Sequence, residues 1–221
     1  MQTSHEFGEY NDKLVANSSM VIDRQLSVLR TRRSTRRFLP ESIPQDLLAQ
    51  VLEAATWAPS AHNRQPWRFA VLTSPEIRHE LARVMGDEYF RDLTANGSDA
   101  DKAWEQVQRS HQRIQSAPVG ILVCLDTTEL DVYPDLERQS AEMIMGIQSV
   151  AMAGQNLLLA ANILGLAGVW ICAPLFSPQA VRQVLQLPES WSPQGLILLG
   201  FPAAAPRQKK VKSVAEVTRF Y

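Results

Sequence analysis

The longest helical pattern in the sequence, from Asp135 to Leu164, constrains the fold more than any other segment. Apolar side chains recur along it at helical spacing, and many small residues are interspersed among them. A helix that is apolar nearly all round is buried, and small residues on its surface allow neighbouring helices to approach closely. The pattern therefore predicts a central helix at a subunit interface, with the core helix of a monomer as the alternative.

Strand-like and helical segments alternate along the rest of the chain. Apolar runs typical of strands occur at Arg68 to Leu72, Val119 to Leu125 and Gly195 to Gly200, and an extended stretch is predicted from Val169 to Pro174. Further helices are predicted at Asp23 to Thr31, Pro44 to just before Pro59, Ser74 to about Met85, Ser98 to Gln115 and Ser177 to about Leu185. In the first of them, Val28 and Leu29 are predicted to face inward. This alternation predicts a layered α/β or α+β domain.

The composition of the 221 residues is that of a soluble protein, with 45% hydrophobic and 20% charged residues and a formal net charge of −1. This charge argues against a general nucleic-acid surface, which needs a broad basic face. No secretory signal is recognised, and the apolar region from Met143 to Ile171 is interrupted by Gln148, Gln155, Asn156 and Asn162, which a bilayer would penalise. We expect an N-terminal arm over residues 1–24 and a single domain over 25–221, with neither membrane nor nucleic-acid partners.

The cysteines and histidines show no metal-ligand spacing, so no metal site is predicted. The two cysteines, Cys124 and Cys172, are far apart in the sequence, which indicates a reducing cytoplasm and no disulfide framework. The apolar sequence around Cys172 predicts a packed, inert thiol. His79 and His111 are predicted to lie on solvated helix faces.

Five arginines fall within eight residues, at positions 30, 32, 33, 36 and 37. Such a dense cluster needs an anionic partner, because its self-repulsion is otherwise a pure cost. Guanidinium groups bind phosphate oxygens bidentately, and Ser34 adds a hydroxyl donor among them. The stretch therefore indicates a phosphate site, with a solvated basic surface as the alternative.

The segment from Ala58 to Phe69 is predicted to be an ordered loop, because it combines two prolines with small residues and Asn63. Small residues would allow a flat ligand to approach the backbone, while Asn63 and Gln65 can both donate and accept hydrogen bonds. The alternative is a purely structural loop that leads into the strand beginning at Arg68.

Several common catalytic motifs are absent from the sequence. There is no G-x-G-x-x-G after a strand, no phosphate-binding P-loop and no G-x-S-x-G elbow. A second basic cluster, from Arg207 to Lys212, could suggest a nucleic-acid surface together with the arginine stretch. Aromatic residues are not interleaved with either cluster, so stacking platforms for bases are poorly supported.

Taken together, the two motifs resemble the nitroreductase family of FMN-dependent oxidoreductases over roughly residues 25 to 221. Arg32-Arg33-Ser34-x-Arg36-x-Phe38 matches the family's phosphate-binding motif. Ala58-Pro59-Ser60-Ala61-x-Asn63-x-Gln65-Pro66-Trp67 matches its flavin-edge loop. The later half is most similar to the FMN-binding C-terminal domain of deazaflavin γ-glutamyl ligases, through Gly168-Val169-Trp170-Ile171 and Leu199-Gly200-Phe201-Pro202.

The resemblance implies an α+β, nitroreductase-like three-layer fold, with a central, mainly antiparallel sheet flanked by helices and an intertwined homodimer holding two FMN molecules at its interface. It assigns the FMN phosphate to Arg32, Arg33, Ser34, Arg36, Arg207 and Lys209, with Lys210 an alternative to Lys209. It assigns the flavin ring and ribityl chain to Ser60, Ala61 and Asn63, and flavin N5 to backbone groups near Cys172 and Ala173. Gln112 and Arg113 are both candidates for the flavin pyrimidine. The family usually has an acidic residue and a glycine where Cys172 and Ala173 stand.

The activity that the resemblance implies is a ping-pong transfer of hydride from NAD(P)H through flavin N5 to nitroaromatics, quinones or similar flat acceptors. No side chain is expected to be catalytic, because the flavin supplies the redox chemistry and the protein supplies binding and electrostatics. The alternatives are a non-catalytic flavin or deazaflavin binding protein and an enzyme of the same fold that consumes its own reduced flavin.

Overall fold

The computed structural model describes residues 21–23, 25–205 and 209–221. Most of the predicted N-terminal arm, residues 1–20, therefore lies outside the described residues. Arg207, which the resemblance assigns to the FMN phosphate, also lies outside the described residues.

The centre of the fold is a four-stranded sheet whose neighbouring strands are all antiparallel, in the order β1-β2-β4-β3. Its strands are β1 (Trp67–Leu72), β2 (Val119–Asp126), β3 (Ala167–Ile171) and β4 (Trp191–Gly200). The two central strands, β2 and β4, are buried along almost their whole length because helices cover the sheet on both faces. The predicted antiparallel sheet is thus confirmed.

Within the described residues, seven helices surround the sheet. They are α1 (21–31, residue 24 not described), α2 (Gln45–Thr56), α3 (Pro75–Ala95), α4 (Ala100–Gln115), α5 (Leu136–Ile163), α6 (Pro178–Leu185) and α7 (Val214–Val217). Short 3-10 turns occur at Ala61–Asn63, Thr127–Glu129 and Ala173–Phe176.

Side chains of β2 alternate between two separate hydrophobic cores, which makes the molecule three-layered. Ile121 and Val123 point to a core shared with α2 and α5. Leu122 and Cys124 point to the opposite core, which is shared with α3, α4 and α6. The period-two alternation of a strand therefore explains how one continuous apolar run builds both cores.

Helix α5 has almost the bounds that the sequence predicts, because Asp135 caps it by accepting a hydrogen bond from the backbone N of Arg138 at 2.8 Å. Gly154 faces the indole of Trp170 so closely that a Cβ would lie 2.3 Å from Trp170 Cζ3. The small residues of α5 thus serve close packing on β3.

One side of α5 is not covered by the described residues, and Ile144, Ile147 and Met152 on it are 54%, 39% and 41% exposed. Among the described residues, α5 is also the one helix whose length and composition would allow it to cross a membrane. Its remaining sides pack against α2 and the sheet, as in the core helix of a globular domain.

Three predicted boundaries are wrong. Strand β4 begins at Trp191 rather than Gly195, because its first, partly polar residues already pair with the end of β2. Helix α3 continues to Ala95 rather than ending near Met85, because Gly86 does not end it but packs against Val107 of α4. The extended stretch predicted to reach Pro174 ends at Ile171, and a 3-10 turn begins at Ala173. Leu29 is also wrongly placed, since it is 56% exposed rather than inward-facing.

Candidate cofactor site

The arginine stretch runs beside the outer strand of the sheet and is held there by its backbone. The backbone N of Thr35 donates to the carbonyl oxygen of Gly168 in β3 at 3.0 Å. Further along, the N of Leu39 donates to Phe201 O at 2.9 Å, and the N of Ala203 donates to Arg37 O at 3.0 Å. Backbone hydrogen bonds therefore help to fix the position of the stretch without using its guanidinium groups.

The guanidinium groups of this stretch have few protein partners. Arg33 donates to the carbonyl oxygens of Arg30 and Arg32 at 2.5 and 2.8 Å, and Arg36 Nη1 lies 3.4 Å from Ser34 O. Within the described part of the chain, Arg32, Arg36 and Arg37 form no ion pair with a carboxylate. Ser34 is exposed. This arrangement suits an anionic ligand.

A cavity of about 160 Å³ borders the stretch and is lined by Arg32, Arg33 and Gly168, among others. Asn162 of α5 also lines it, and its Nδ2 donates to Thr31 Oγ1 at 3.1 Å. The cavity thus lies where the end of α1, the end of α5 and the start of β3 meet. The residues present fit a phosphate group at this place.

Cys172 and Ala173, at the other end of β3, line a second cavity of about 730 Å³. Four residue steps separate Gly168 from Cys172, which corresponds to about 13 Å along a strand. Cys172 is exposed, so the prediction of a packed thiol is wrong; the chain turns at the end of β3 and leaves the thiol at the surface.

The two candidates for the flavin pyrimidine differ in their position. Arg113 of α4 is half-buried and lines the same cavity as Cys172 and Ala173. Gln112 is exposed and is not among the residues that line it. The structure therefore brings Arg113 to the end of β3.

The loop before β1 has an unusual backbone. His62, Asn63 and Gln65 have φ angles of 53°, 54° and 51°, in the left-handed region that residues other than glycine seldom adopt. The loop folds back on itself, since Ser60 Oγ accepts a hydrogen bond from the N of Gln65 at 3.0 Å. It rests on α5, where the N of Ala61 donates to Ser149 Oγ at 3.2 Å.

Two arginines hold this loop through carboxylates that follow β2. Arg64 pairs with Asp131 at 2.6 Å, and Arg68 pairs with Glu129 at 2.5 Å and with Asp126 at 3.1 Å. We call these five residues the arginine clamp. The sequence reasoning missed it, because Arg64 and Asp131 are 67 positions apart and no local pattern joins them.

Asp126 is the least exposed carboxylate of the clamp, with a side chain 9% exposed. Burial by itself raises the pKa of Asp126, but hydrogen bonds from Thr128 and Ser190 and the charge of Arg68 together hold that pKa below its ordinary value. Thr128 donates to Asp126 Oδ1 through its hydroxyl at 2.7 Å and its backbone N at 3.2 Å. Asp126 is therefore an anionic anchor at neutral pH.

The loop and the arginine stretch lie far apart within one chain. The loop contacts α5 at Ser149, and the stretch meets α5 at Asn162. Thirteen residues of helix between them span about 20 Å. The strand order agrees, since the loop leads into β1 at one edge of the sheet and the stretch lies beside β3 at the other. Ser60, Ala61 and Asn63 are thus not brought to the phosphate cavity.

The remaining candidates have a smaller part in the site. Lys209 and Lys210 are both exposed, and the choice between them stays open. The rings of His79 and His111 lie 5.0 Å apart between α3 and α4, and His79 is exposed as predicted. His111 is half-buried, so its prediction as solvated is wrong. No group of three metal-ligating side chains occurs within the described ranges.

Comparison with known proteins identifies the class to which this fold and site belong. A family model described as "Nitroreductase family" matches residues 29–201. The chain belongs to the nitroreductase family. The match covers both the arginine stretch and the strained loop, as well as the whole sheet.

Individual relatives agree with this assignment. A Methanothermobacter thermautotrophicus protein, provisionally named NADH dehydrogenase/NAD(P)H nitroreductase, is 30% identical over 82% of this chain and 78% of its own length. A Desulfovibrio desulfuricans structure in complex with FMN is 25% identical, with a TM-score of 0.66 over 89% of this chain and 95% of that one. The NADPH:FMN oxidoreductase of Vibrio harveyi, complexed with NAD⁺, shares the fold at 22% identity, with a TM-score of 0.67 over 88% and 76% of the two chains.

The predicted family and fold are therefore confirmed. The predicted enzyme class and cofactor, a flavin oxidoreductase that uses FMN, agree with the family assignment and with the descriptions of these relatives. The finer resemblance to the C-terminal domain of deazaflavin γ-glutamyl ligases stays a prediction.

Proposed function

We propose that this nitroreductase-family protein is an NAD(P)H-dependent oxidoreductase that reduces nitroaromatics, quinones or similar flat acceptors in a ping-pong cycle. The observation that carries the proposal is the arrangement along β3. Arg32 and Arg36, which form no ion pair with a carboxylate within the described residues, lie beside its start, and the larger cavity opens at its end beside Cys172. An elongated cofactor with a phosphate at one end and a ring at the other matches these two environments.

The flavin, when bound, would supply the redox chemistry by accepting hydride from NAD(P)H and delivering electrons to the acceptor. Arg32, Arg33 and Arg36 would hold the phosphate by charge-assisted hydrogen bonds, with the hydroxyl of Ser34 as a further donor. Backbone groups of Cys172 and Ala173 would orient the ring. Arg113 would place a positive charge near the pyrimidine, where preorganised charge stabilises an anionic reduced state. No side chain is assigned to proton transfer.

We also propose that the working form is a homodimer in which each site combines two chains. Two observations support this. The loop with Ser60, Ala61 and Asn63 lies about 20 Å from the arginine stretch of its own chain, and the exposed side of α5 carries Ile144, Ile147 and Met152. An apolar face of this kind is typical of a subunit interface. A second copy would cover it and bring its loop to the ring.

The cytoplasm remains the proposed location of the protein. Its two cysteines are both free, with Cys124 buried and Cys172 exposed. An exposed free thiol is typical of a reducing compartment.

The absorption spectrum of the purified protein tests the cofactor and the activity. We expect the visible bands of a flavin, release of FMN on heating, and oxidation of NADH or NADPH coupled to reduction of a quinone. Absence of flavin, together with failure of added FMN to bind and support NAD(P)H oxidation, would overturn the proposal. Tight flavin binding without turnover would favour the non-catalytic alternative instead, and product analysis after aerobic reduction would reveal consumption of the flavin itself.

Mixing two inactive variants tests the shared site. Arg32→Ala damages the phosphate end, and Asn63→Gly removes the amide from the loop while keeping a residue that tolerates positive φ. If each site combines two chains, a mixed dimer contains one site with neither defect, so activity and FMN binding should partly return on subunit exchange. Sites formed within single chains would leave every site defective, and no activity would return.

A further inference from the structure

The cavity of about 730 Å³ at the end of β3 has an asymmetric charge distribution. One face of α4 lines it with Gln106, Arg109, Ser110 and Arg113, which recur at the spacing of a single helix face. Two guanidinium groups, one helical turn apart, therefore border the same cavity. Asp92 of α3 is the one carboxylate among its lining residues.

The two arginines have little to neutralise them within the described residues. Arg113 is half-buried and forms no ion pair with a carboxylate there. Arg109 has a single long contact, 3.9 Å to Glu105, and both of these side chains are largely exposed. A contact of this kind contributes little. The cavity thus keeps an excess of positive charge.

The other walls of the cavity are mainly apolar, apart from Asp92, Asn96 and Ser177. Met85 and Leu93 come from α3, while Ile171 and Phe176 come from the end of β3 and the turn that follows it. The two helices are joined across the cavity by a hydrogen bond of 3.1 Å from Tyr89 Oη to Gln106 Oε1. A cavity with apolar walls and a few convergent polar groups is the usual form of a small-molecule site.

From this combination we infer that the cavity selects flat aromatic acceptors that carry an anionic group, with Arg109 as the specificity-determining residue. The apolar walls enclose the aromatic ring, and the guanidinium of Arg109 binds a carboxylate or sulfonate. The inference rests on the proposed function, because it names the class of acceptor used at that site. Neutral acceptors of the same shape bind more weakly, since they leave the cationic face without a partner.

The reaction balances with the co-reactant already named. Reduction of 4-nitrobenzoate to 4-nitrosobenzoate consumes one NAD(P)H and one proton, and one nitro oxygen leaves as water. The carboxylate takes no part in the electron transfer. Its only role is recognition, which separates the effect of Arg109 on binding from the redox chemistry.

The test compares 4-nitrobenzoate with its neutral analogue 4-nitrobenzamide in wild-type holoprotein, Arg109→Gln and Arg91→Gln. Arg91 is a matched control because it is 73% exposed on α3 and does not line the cavity. We expect Arg109→Gln to lower kcat/KM for 4-nitrobenzoate by roughly tenfold or more, the scale of one charge-assisted contact, with kcat largely kept. The 4-nitrobenzamide value and the Arg91→Gln enzyme should change little.

The alternative role for this positive charge is to bind a phosphate of the nicotinamide nucleotide. Ping-pong kinetics distinguish acceptor binding from nucleotide binding, because donor and acceptor have independent kcat/KM values. A loss confined to NADPH, with the preference for 4-nitrobenzoate intact, would overturn the inference. Equal losses for both nitro compounds would overturn it too, because they would indicate a structural role.

Calorimetry with the full-length protein provides a readout that does not depend on turnover. We expect 4-nitrobenzoate to bind roughly tenfold more tightly than 4-nitrobenzamide, and this preference to disappear in Arg109→Gln and at high salt. Absence of the preference in the wild type would overturn the inference even if the enzyme is active. A preserved preference in a protein that neither binds FMN nor oxidises NAD(P)H would support this site while contradicting the proposed function.

Discussion

Two groups of arginines lie on opposite edges of the sheet and differ in their partners. In the arginine clamp, Arg64 and Arg68 each pair with carboxylates at 2.5–3.1 Å. In the arginine stretch, Arg32 and Arg36 form no such pair within the described residues, and backbone hydrogen bonds attach the segment to β3 and to the residues after β4. The comparison shows that the role of an arginine depends on whether the folded chain already places a carboxylate beside it.

The difference also explains why only one of the two segments has a strained backbone. Left-handed residues such as His62 and Asn63 persist only where the surrounding structure over-determines them. The clamp provides this constraint for the loop. The arginine stretch lies beside β3 and needs no such support, so the guanidinium groups of Arg32 and Arg36, which have no carboxylate partner among the described residues, can serve a ligand. Mutations should therefore separate stability from ligand binding.

Loss of Arg68 should have the largest effect on stability. Arg68→Ala leaves Asp126 nearly buried without its cation and releases Glu129, which we expect to lower the free energy of unfolding by roughly 2–3 kcal/mol. Urea denaturation of the apoprotein measures this change. Arg83→Ala is the matched control, because Arg83 also pairs with two carboxylates but on the exposed surface of α3, where the loss of an ion pair should lower stability much less. Equal losses of unfolding free energy in both variants would show that the clamp stabilises the protein no more than surface ion pairs do.

Loss of Arg32 should instead affect FMN affinity. Arg32→Ala is expected to weaken FMN binding by about 2 kcal/mol, the scale of a hydrogen bond to a charged group, while the unfolding free energy of the apoprotein stays within about 0.5 kcal/mol of wild type. Fluorescence titration with FMN measures the first quantity and urea denaturation the second. Arg37→Ala should change neither, since Arg37 is exposed and does not line the cavity beside the stretch. An unchanged FMN dissociation constant for Arg32→Ala would exclude Arg32 from the phosphate site.

Thr128→Val should lower the stability of the arginine clamp by an amount that depends on pH. It removes the hydroxyl that donates to Asp126 at 2.7 Å and should cost about 1 kcal/mol at neutral pH. The pKa of Asp126 is lowered in the folded protein, so its contribution is complete above its unfolded pKa of about 3.9 and is lost as the pH falls through the folded pKa. The difference between wild type and variant should therefore shrink as the pH is lowered below about 4. A difference that is independent of pH would show that the hydroxyl acts without the carboxylate.

The smallest effect should come from relief of backbone strain in the loop. His62→Gly places glycine at a φ of 53° and should raise the free energy of unfolding by about 0.5 kcal/mol, because relieved strain slightly exceeds the added entropy of the unfolded chain. Ala141→Gly, at an exposed helical position of α5, should lower it by about 1 kcal/mol. Shifts in urea midpoint measure both. Destabilisation by His62→Gly would mean that the imidazole itself contributes to the loop.

The features that follow from local sequence were the ones that could be predicted. The bounds of α5 agree to within a residue, because its cap at Asp135 and its continuous apolar pattern lie within the segment itself. The arginine stretch is predicted to be an anion site from its own composition, and this assignment stays a prediction. The end of α3 was misplaced because Gly86 weakens the helical pattern locally, whereas its packing against Val107 depends on tertiary structure.

The parts of the site that depend on distant residues could not be read from the sequence. The pairs of the arginine clamp join positions more than 55 residues apart, and their charges resemble any solvated surface charges. The same holds for Cys172, whose exposure depends on how the chain turns after β3. Only the fold shows that Arg113 rather than Gln112 reaches the larger cavity.

Helix α5 has a further consequence for how sequences of this kind can change. It supports the loop at Ser149 and the arginine stretch at Asn162, so the number of residues between these positions determines the distance between the two. One inserted or deleted residue would shift the helix by about 1.5 Å and rotate everything beyond it by about 100°. Substitutions on its exposed side leave this spacing intact. Length variation should therefore accumulate in surface loops, while the segment between Ser149 and Asn162 keeps a fixed length.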